Sequence, residues 1–256
     1  MGAGHAHPLH VDRDSPVHRL PPEVKIVSMV VFTVAVVATP RTAFWAFGLY
    51  ALLLAAVAAV ARVSPRWLLT RSAIELPFVF FAFVLPFVGT GDRVAWLGLS
   101  LSVDGLYGGW NILAKGTLGV LGSLLLAATT TMRDLILGLD RLRCPQVVTQ
   151  IATFMLRYFD VLAGEARRMR IARVSRGDDP RFLWQLRGFA TGVGALFLRA
   201  FERGERVYLA MLARGYSGRM PTAWQSSGGA SAGQWLAGTA VSVTAAAIAG
   251  TALVLT

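Results

Sequence analysis

The stretch Phe182–Gly215, FLWQLRGFATGVGALFLRAFERGERVYLAMLARG, decides how this chain is to be read. Phe182, Leu186, Phe189, Val193, Phe197, Ala200, Gly204, Val207 and Met211 advance by threes and fours without a miss, which predicts one long amphipathic helix. The helix closes on Ala213-Arg214-Gly215, and a glycine just past the last periodic residue is ordinary stop chemistry. A second ending of the same kind, Ser175-Arg176-Gly177, lies 38 residues upstream with Pro180 close behind. It terminates a stripe of Ile151, Met155, Tyr158, Leu162, Ala166, Met169 and Arg173, with Arg157, Glu165, Arg167, Arg168 and Arg170 mostly off that stripe. An arginine at a helix end is a cationic prong, because its guanidinium offers five donors in a planar fork. Either ending alone reads as capping, whereas two, each after an amphipathic helix, predict two sockets on a partner.

Working outward, the chain is too apolar for a soluble domain: 55% of its 256 residues are hydrophobic, 15% are charged and the mean hydropathy is +0.56. Charge is segregated, since 16 of the 25 Lys+Arg and 8 of the 14 Asp+Glu fall between Met132 and Arg219, while Met220–Thr256 carries none. A net charge of +11 is compatible with nucleic-acid binding, yet excess arginine beside apolar spans is also what cytoplasmic retention of loops produces, and no nucleic-acid partner is expected. The single Cys144 permits no internal disulfide and reads as an ordinary buried or interfacial thiol.

The pattern predicts an all-α integral membrane protein with about five transmembrane helices plus long amphipathic cytoplasmic helices. Residues 1–22 hold four prolines and all four histidines, His5, His7, His10 and His18, and read as a disordered cytoplasmic tail with no secretory leader. Residues 23–131 supply four spans. The first opens at Pro21-Pro22-Glu23 and is short, Thr42–Ala61 is full length, Ile74–Val88 is bent by Pro77 and Pro86, and Leu106–Thr131 returns. Thr90–Leu106 is the external connection. Arg62, Arg66 and Arg71 place their loop and the amino terminus in the cytoplasm, with Arg41 outside. Residues 132–219 form a cytoplasmic or interfacial helical block, 220–234 a flexible connector, and 235–256 the last span.

No catalytic motif is visible: there is no His-Glu-x-x-His, no nucleophile elbow and no phosphate-cradling loop, and the spans lack the clustered acids or histidines of an intramembrane enzyme. Asp178-Asp179 ahead of Pro180 reads as a solvated turn, and no metal site is expected in this chain. Glu75 and Lys115 are the charges within apolar spans. Antiparallel packing is expected to leave them at opposite depths, each snorkelling to its nearer interface; a stand-alone secondary transporter or channel would instead need them in one pathway.

Taken together, Thr129-Thr130, Leu135, Gly138-Leu139, Leu142 and Pro145, then Arg157-Tyr158, Glu165 and both Ala/Ser-Arg-Gly endings resemble the transmembrane T component of energy-coupling-factor importers, specifically the Q subunit of cobalt and nickel uptake systems. The resemblance covers Leu20–Arg219. It implies a scaffold in the cell inner membrane, embedded in lipid, that binds no cofactor and catalyses nothing itself. ATP would be bound by two cytoplasmic ATPase subunits, docked by the coupling motifs Ser175-Arg176-Gly177 and Ala213-Arg214-Gly215, and metal by a separate membrane subunit, the S component. The family's Asp-Pro-Arg-x-Lys stretch before the first span reads Pro21-Pro22-Glu23-Val24-Lys25 here, matching only at Pro22 and Lys25.

Overall fold

A computed structural model describes residues 9–89, 92–96, 99–177, 186–218 and 229–255. In chain order the elements are α1 (Pro22–Ala38), α2 (Phe44–Val60), α3 (Pro65–Arg71), a 3-10 turn (Ser72–Glu75) and α4 (Leu76–Val88). There follow β1 (Arg93–Trp96), β2 (Leu99–Ser102), α5 (Val103–Thr129), α6 (Met132–Arg141), α7 (Gln146–Ser175), α8 (Leu186–Leu212) and α9 (Ala232–Leu255). The protein is an all-α membrane protein whose α4–α5 connection carries one short antiparallel hairpin, with Arg93 opposite Ser102 and Trp96 opposite Leu99. Pro65–Val88, Val103–Thr129 and Ala232–Leu255 are long and apolar enough to cross a bilayer; Phe44–Val60 is apolar but shorter. At 17 residues, α1 and α2 are each about 25 Å long, just under a hydrocarbon core.

The described residues divide into two compact units, one of residues 9–142 with 229–255 and one of residues 143–218. This moves a boundary. The block expected to begin at Met132 begins after Leu142, because α6 packs on α1: a side chain at Gly138 would meet the Glu23 amide nitrogen at 3.0 Å and Ile26 Cδ1 at 2.8 Å. The short amphipathic pattern of α6 looked like the start of the cytoplasmic helices, but its apolar face belongs to the membrane unit.

In that unit the core is built on α1, α2, α5 and α9. Phe32 meets Tyr50 edge to face at 5.8 Å between centroids. The Tyr50 hydroxyl lies 2.9 Å from Thr39 Oγ1 and donates to the Ala245 carbonyl at 3.3 Å, so the polar tip of a fully buried ring is satisfied. Small residues bring helices close: Gly238 on α9 leaves no room for a methyl beside Val24, and its carbonyl accepts from Ser28 Oγ at 2.7 Å. In the Pro65–Val88 span, Pro77 has no amide to give Ala73, and the chain passes through the 3-10 turn just there. Pro86 likewise frees the Ala82 carbonyl, on which Gly109 of α5 sits so closely that a Cβ would lie 2.6 Å away.

Residues 9–21, expected within a disordered tail, instead pack on the membrane helices. The Val11 amide donates to the Ala128 carbonyl at 3.0 Å, Val11 and Val17 join the apolar core, and Ser15 is buried. Both His18 nitrogens are used: Nε2 donates to the Val11 carbonyl at 3.1 Å, and Nδ1 accepts from Ser15 Oγ at 2.7 Å. Two valines supply enough apolar surface to anchor a segment whose overall composition reads as polar.

Candidate functional site

Both Arg-Gly endings form the same structure. Arg176 caps α7 with its amide donating to the Arg173 carbonyl, and Gly177 donates to Val174, both at 3.0 Å. Arg214 donates to Met211 at 3.0 Å and Gly215 to Leu212 at 2.9 Å. Gly177 and Gly215 each have φ +82°, the left-handed conformation that only glycine adopts without strain. Nothing lies within 4 Å of where either Cβ would be, so the backbone angle, not crowding, calls for glycine. Ser175 Oγ turns back to the Ile171 carbonyl at 3.0 Å, which leaves the tip to the arginine. Arg176 and Arg214 are exposed, and among the described residues neither guanidinium has a hydrogen-bond or ion-pair partner. Each is a cation presented outward on a rigid stop. Asp178, Asp179, Phe182 and residues 220–228 of the connector lie outside the described residues.

The two helices run antiparallel. Near the start of α7, Gln150 Oε1 accepts from the Tyr216 hydroxyl at 2.9 Å, and Gln150 Nε2 donates to the Gly218 carbonyl at 3.3 Å. Further along, Glu165 meets Arg199 and Arg203, and near the end of α7 a side chain on Gly192 would touch Arg173 Nη1 at 3.5 Å. Arg176 and Arg214 therefore sit at opposite ends of one helix pair and are not brought together. The predicted stripes face each other over part of their length: Ile151, Tyr158 and Leu162 of α7 and Gly204, Val207 and Met211 of α8 line a groove of about 340 Å³. Beyond it Phe189, Val193 and Phe197 stay exposed, an apolar surface of the kind that marks a partner or a membrane.

Glu165 is the electrostatic centre of the pair. Its Oε1 accepts from Arg199 Nη1 at 2.6 Å, and Arg203 and Arg168 lie 3.6 and 3.7 Å from Oε2. The Arg199 hydrogen bond, backed by the charges of all three arginines, holds the carboxyl below its ordinary range. The spacing of α7 did not single out this role; the available signal was an acidic residue, one of two on α7 with Asp160, among Arg157, Arg167, Arg168, Arg170 and Arg173.

Elsewhere the expected positions of the intramembrane charges are corrected. Glu75 is buried, 5% exposed, and packs against α5. Its Oε1 accepts from Thr117 Oγ1 at 2.9 Å, beside Gly116, midway along α5. Lys115 Nζ donates to the Val37 carbonyl at 2.7 Å. The two charges thus share one level of α5, and they lie apart because each is satisfied by a different neighbouring helix, with no ion pair between them among the described residues. The third span begins at Pro65 rather than Ile74, which is why Glu75 falls in mid-span. At the start of α5, Arg41 and Asp104 pair at 3.4 Å.

The opening segment that departs from the family's pattern is a joint. Lys25 Nζ donates to the Thr129 carbonyl at 2.8 Å and to His18 at 3.1 Å, tying α1 to the end of α5. Glu23, 4% exposed, accepts from Arg141 Nη1 at 3.2 and 3.1 Å and from the Ala230 amide at 3.1 Å, tying α1 to α6 and to the approach of α9. Among the described residues no group of three or more His, Cys, Asp and Glu gathers in a metal-binding arrangement.

Residues 13–223 match the profile of the cobalt transport protein family, CbiQ. The chain belongs to this family. It is 29% identical over 227 residues to the energy-coupling factor transporter transmembrane protein EcfT of Bacillus selenitireducens, with 82% of each chain covered. It is 31% identical over 156 residues to the cobalt transport protein CbiQ of Rhodobacter capsulatus, covering 57% of this chain and 64% of that one. A protein of Methanocorpusculum labreanum named as a fused cobalt transport protein, CbiMQ, is 28% identical over 169 residues; the match takes in 62% of this chain but only 28% of that relative's length. Membership makes this chain a membrane component of a transport system, and α7 with α8 is the part of a CbiQ-family protein that carries both outward-facing arginines.

Proposed function

We propose that this protein is the transmembrane scaffold of an ATP-driven energy-coupling-factor importer for cobalt or nickel, lying in the cell inner membrane with its amino terminus in the cytoplasm. Two ATPase subunits would dock on the tips of α7 and α8 through Arg176 and Arg214, and a separate S component would hold the metal. The observation that carries this reading is the pair of exposed guanidiniums, unpartnered among the described residues, on identically built helix stops at opposite ends of one antiparallel pair. That arrangement suits two copies of one partner better than a single contact. ATP-driven closure of the ATPases would move the tips, and the helices would pass the displacement to the metal-binding subunit. The chain does no chemistry in this scheme.

The test is the double variant Arg176→Ala/Arg214→Ala in the full complex, scored by ATPase co-purification and metal uptake. Truncating one partner of a buried interfacial charge pair costs about 2–5 kcal/mol, so the pair of changes is expected to abolish ATPase retention and uptake together. Wild-type behaviour on both counts would overturn the assignment.

A further inference from the structure

The contacts between α7 and α8 place Glu165 in a position that has mechanical meaning. Glu165 stands 11 residues before Arg176 on α7, and Arg203, its partner on α8, stands 11 residues before Arg214. At about 1.5 Å of rise per residue, each tip is roughly 16 Å from this contact, and because the helices are antiparallel the tips lie on opposite sides of it. The carboxylate is therefore the midpoint between the two cationic prongs. It is also where three arginines converge on one acid, with Arg199 on one side of the helix turn and Arg203 on the next. Apolar packing is loose on both sides, since Phe189, Val193 and Phe197 are exposed toward Arg176 and so are Ile151 and Met155 of the groove toward Arg214. Apolar contact is non-directional and permits helices to slide or swivel, whereas a short charge-assisted hydrogen bond fixes one point.

We propose that Glu165 is the fulcrum of the helix pair: a positioning residue whose hold on Arg199 and Arg203 sets the span between the Arg176 and Arg214 tips, so that displacement of one tip is delivered to the other. This deepens, and rests on, the ATPase-coupled function proposed above. Two acceptor oxygens shared among three guanidiniums let the contact pass from Arg199 to Arg203 as α8 tilts, without the carboxylate ever losing a partner. A swivel rather than a weld results.

The experiment has two arms. In the first, the full chain in nanodiscs, with Cys144→Ala and spin labels at Ile171→Cys and Leu209→Cys, gives the α7–α8 distance distribution by electron double resonance. One narrow distribution is expected for the parent. Glu165→Gln should broaden it, Glu165→Asp should restore it, and Arg199→Gln, which leaves Arg203 to hold the carboxylate, should broaden it less, whereas Arg199→Gln/Arg203→Gln should broaden it as Glu165→Gln does. In the second arm, the complete complex carrying Glu165→Gln should keep its ATPases but lose metal uptake per ATP hydrolysed by about tenfold, the size of a typical coupling between sites. Restoration by Glu165→Asp separates positioning from a folding defect. Two results overturn the proposal and are told apart: a wild-type chain that retains no ATPase removes the function on which the fulcrum rests, and Glu165→Gln with parental distances and parental uptake removes the fulcrum alone.

Discussion

Glu23 in the membrane unit and Glu165 in the α7–α8 unit are both carboxylates gripped by arginine, and the difference between them separates a joint from a pivot. Glu23 is 4% exposed, has one arginine at 23% exposure, and spends a further lone pair on the Ala230 amide. Glu165 is 14% exposed and is shared by arginines exposed at 37%, 58% and 71%. A buried carboxylate with fully assigned partners cannot exchange them without exposing a bare charge, so Glu23 locks α1, α6 and the approach of α9 in one arrangement. A carboxylate at the water's edge with more donors than it needs can trade them at little cost. The surrounding packing follows suit. Close glycine contacts knit α1, α4, α5, α6 and α9 together, while Gly194 and Gly204 on α8 have nothing within 4 Å of their Cβ positions.

The buried joint is where a substitution should cost most. Glu23→Ala removes the buried acceptor that Arg141 Nη1 and the Ala230 amide share and should cost about 3–5 kcal/mol, seen as a large fall in the thermal midpoint of the purified protein in detergent. Replacing the pair with Glu23→Leu/Arg141→Met should recover most of that loss, because apolar side chains of similar volume fill the space without the desolvation of a buried ion pair. A fall for Glu23→Ala no greater than that for Glu165→Ala would erase the distinction between joint and pivot.

A smaller effect sharpens it. Gly238→Val forces a side chain into the space of Val24 and should destabilise by about 1–3 kcal/mol, whereas Gly194→Ala and Gly204→Ala should each stabilise by about 0.5–1 kcal/mol, as alanine in an open helix position does. The same thermal midpoints measure both, and opposite signs are the expected outcome. Destabilisation by Gly204→Ala would mean that α8 is as tightly enclosed as α9.

The smallest effect depends on pH. The Glu165 carboxyl is held below its ordinary range by the Arg199 hydrogen bond, so its contribution to the α7–α8 contact is fully present above the ordinary carboxylate value and is lost as pH falls through the lowered one. The Ile171–Leu209 label distance should therefore stay constant from neutral pH down past the ordinary carboxylate range and broaden only in stronger acid. Broadening already near pH 6 would point to a different titrating group.

Much of the site was legible in the chain because it is local. A glycine after the last turn must supply a positive φ, and both Gly177 and Gly215 do; stripes at steps of three and four must share a face, and Tyr158, Leu162, Val207 and Met211 line one groove. Where sequence and structure part, the cause is also local. Residues 9–21 looked too polar to pack, and α6 looked like the first cytoplasmic helix because its short amphipathic pattern is the same whether the apolar face meets α1 or a partner.

Composition and helical period are enough for the membrane class, the two amphipathic helices and their arginine-bearing stops, since neither requires knowledge of neighbours. Which charges meet is a matter of packing: Glu165 with Arg199, Glu23 with Arg141, Glu75 with Thr117, and Lys115 with α1 instead of Glu75. The physical reason is that partner choice across 34 to 118 residues is set by how helices register against one another, and that register comes from close contacts such as Gly138 on Glu23 and Gly109 on Ala82, which no period in the sequence encodes.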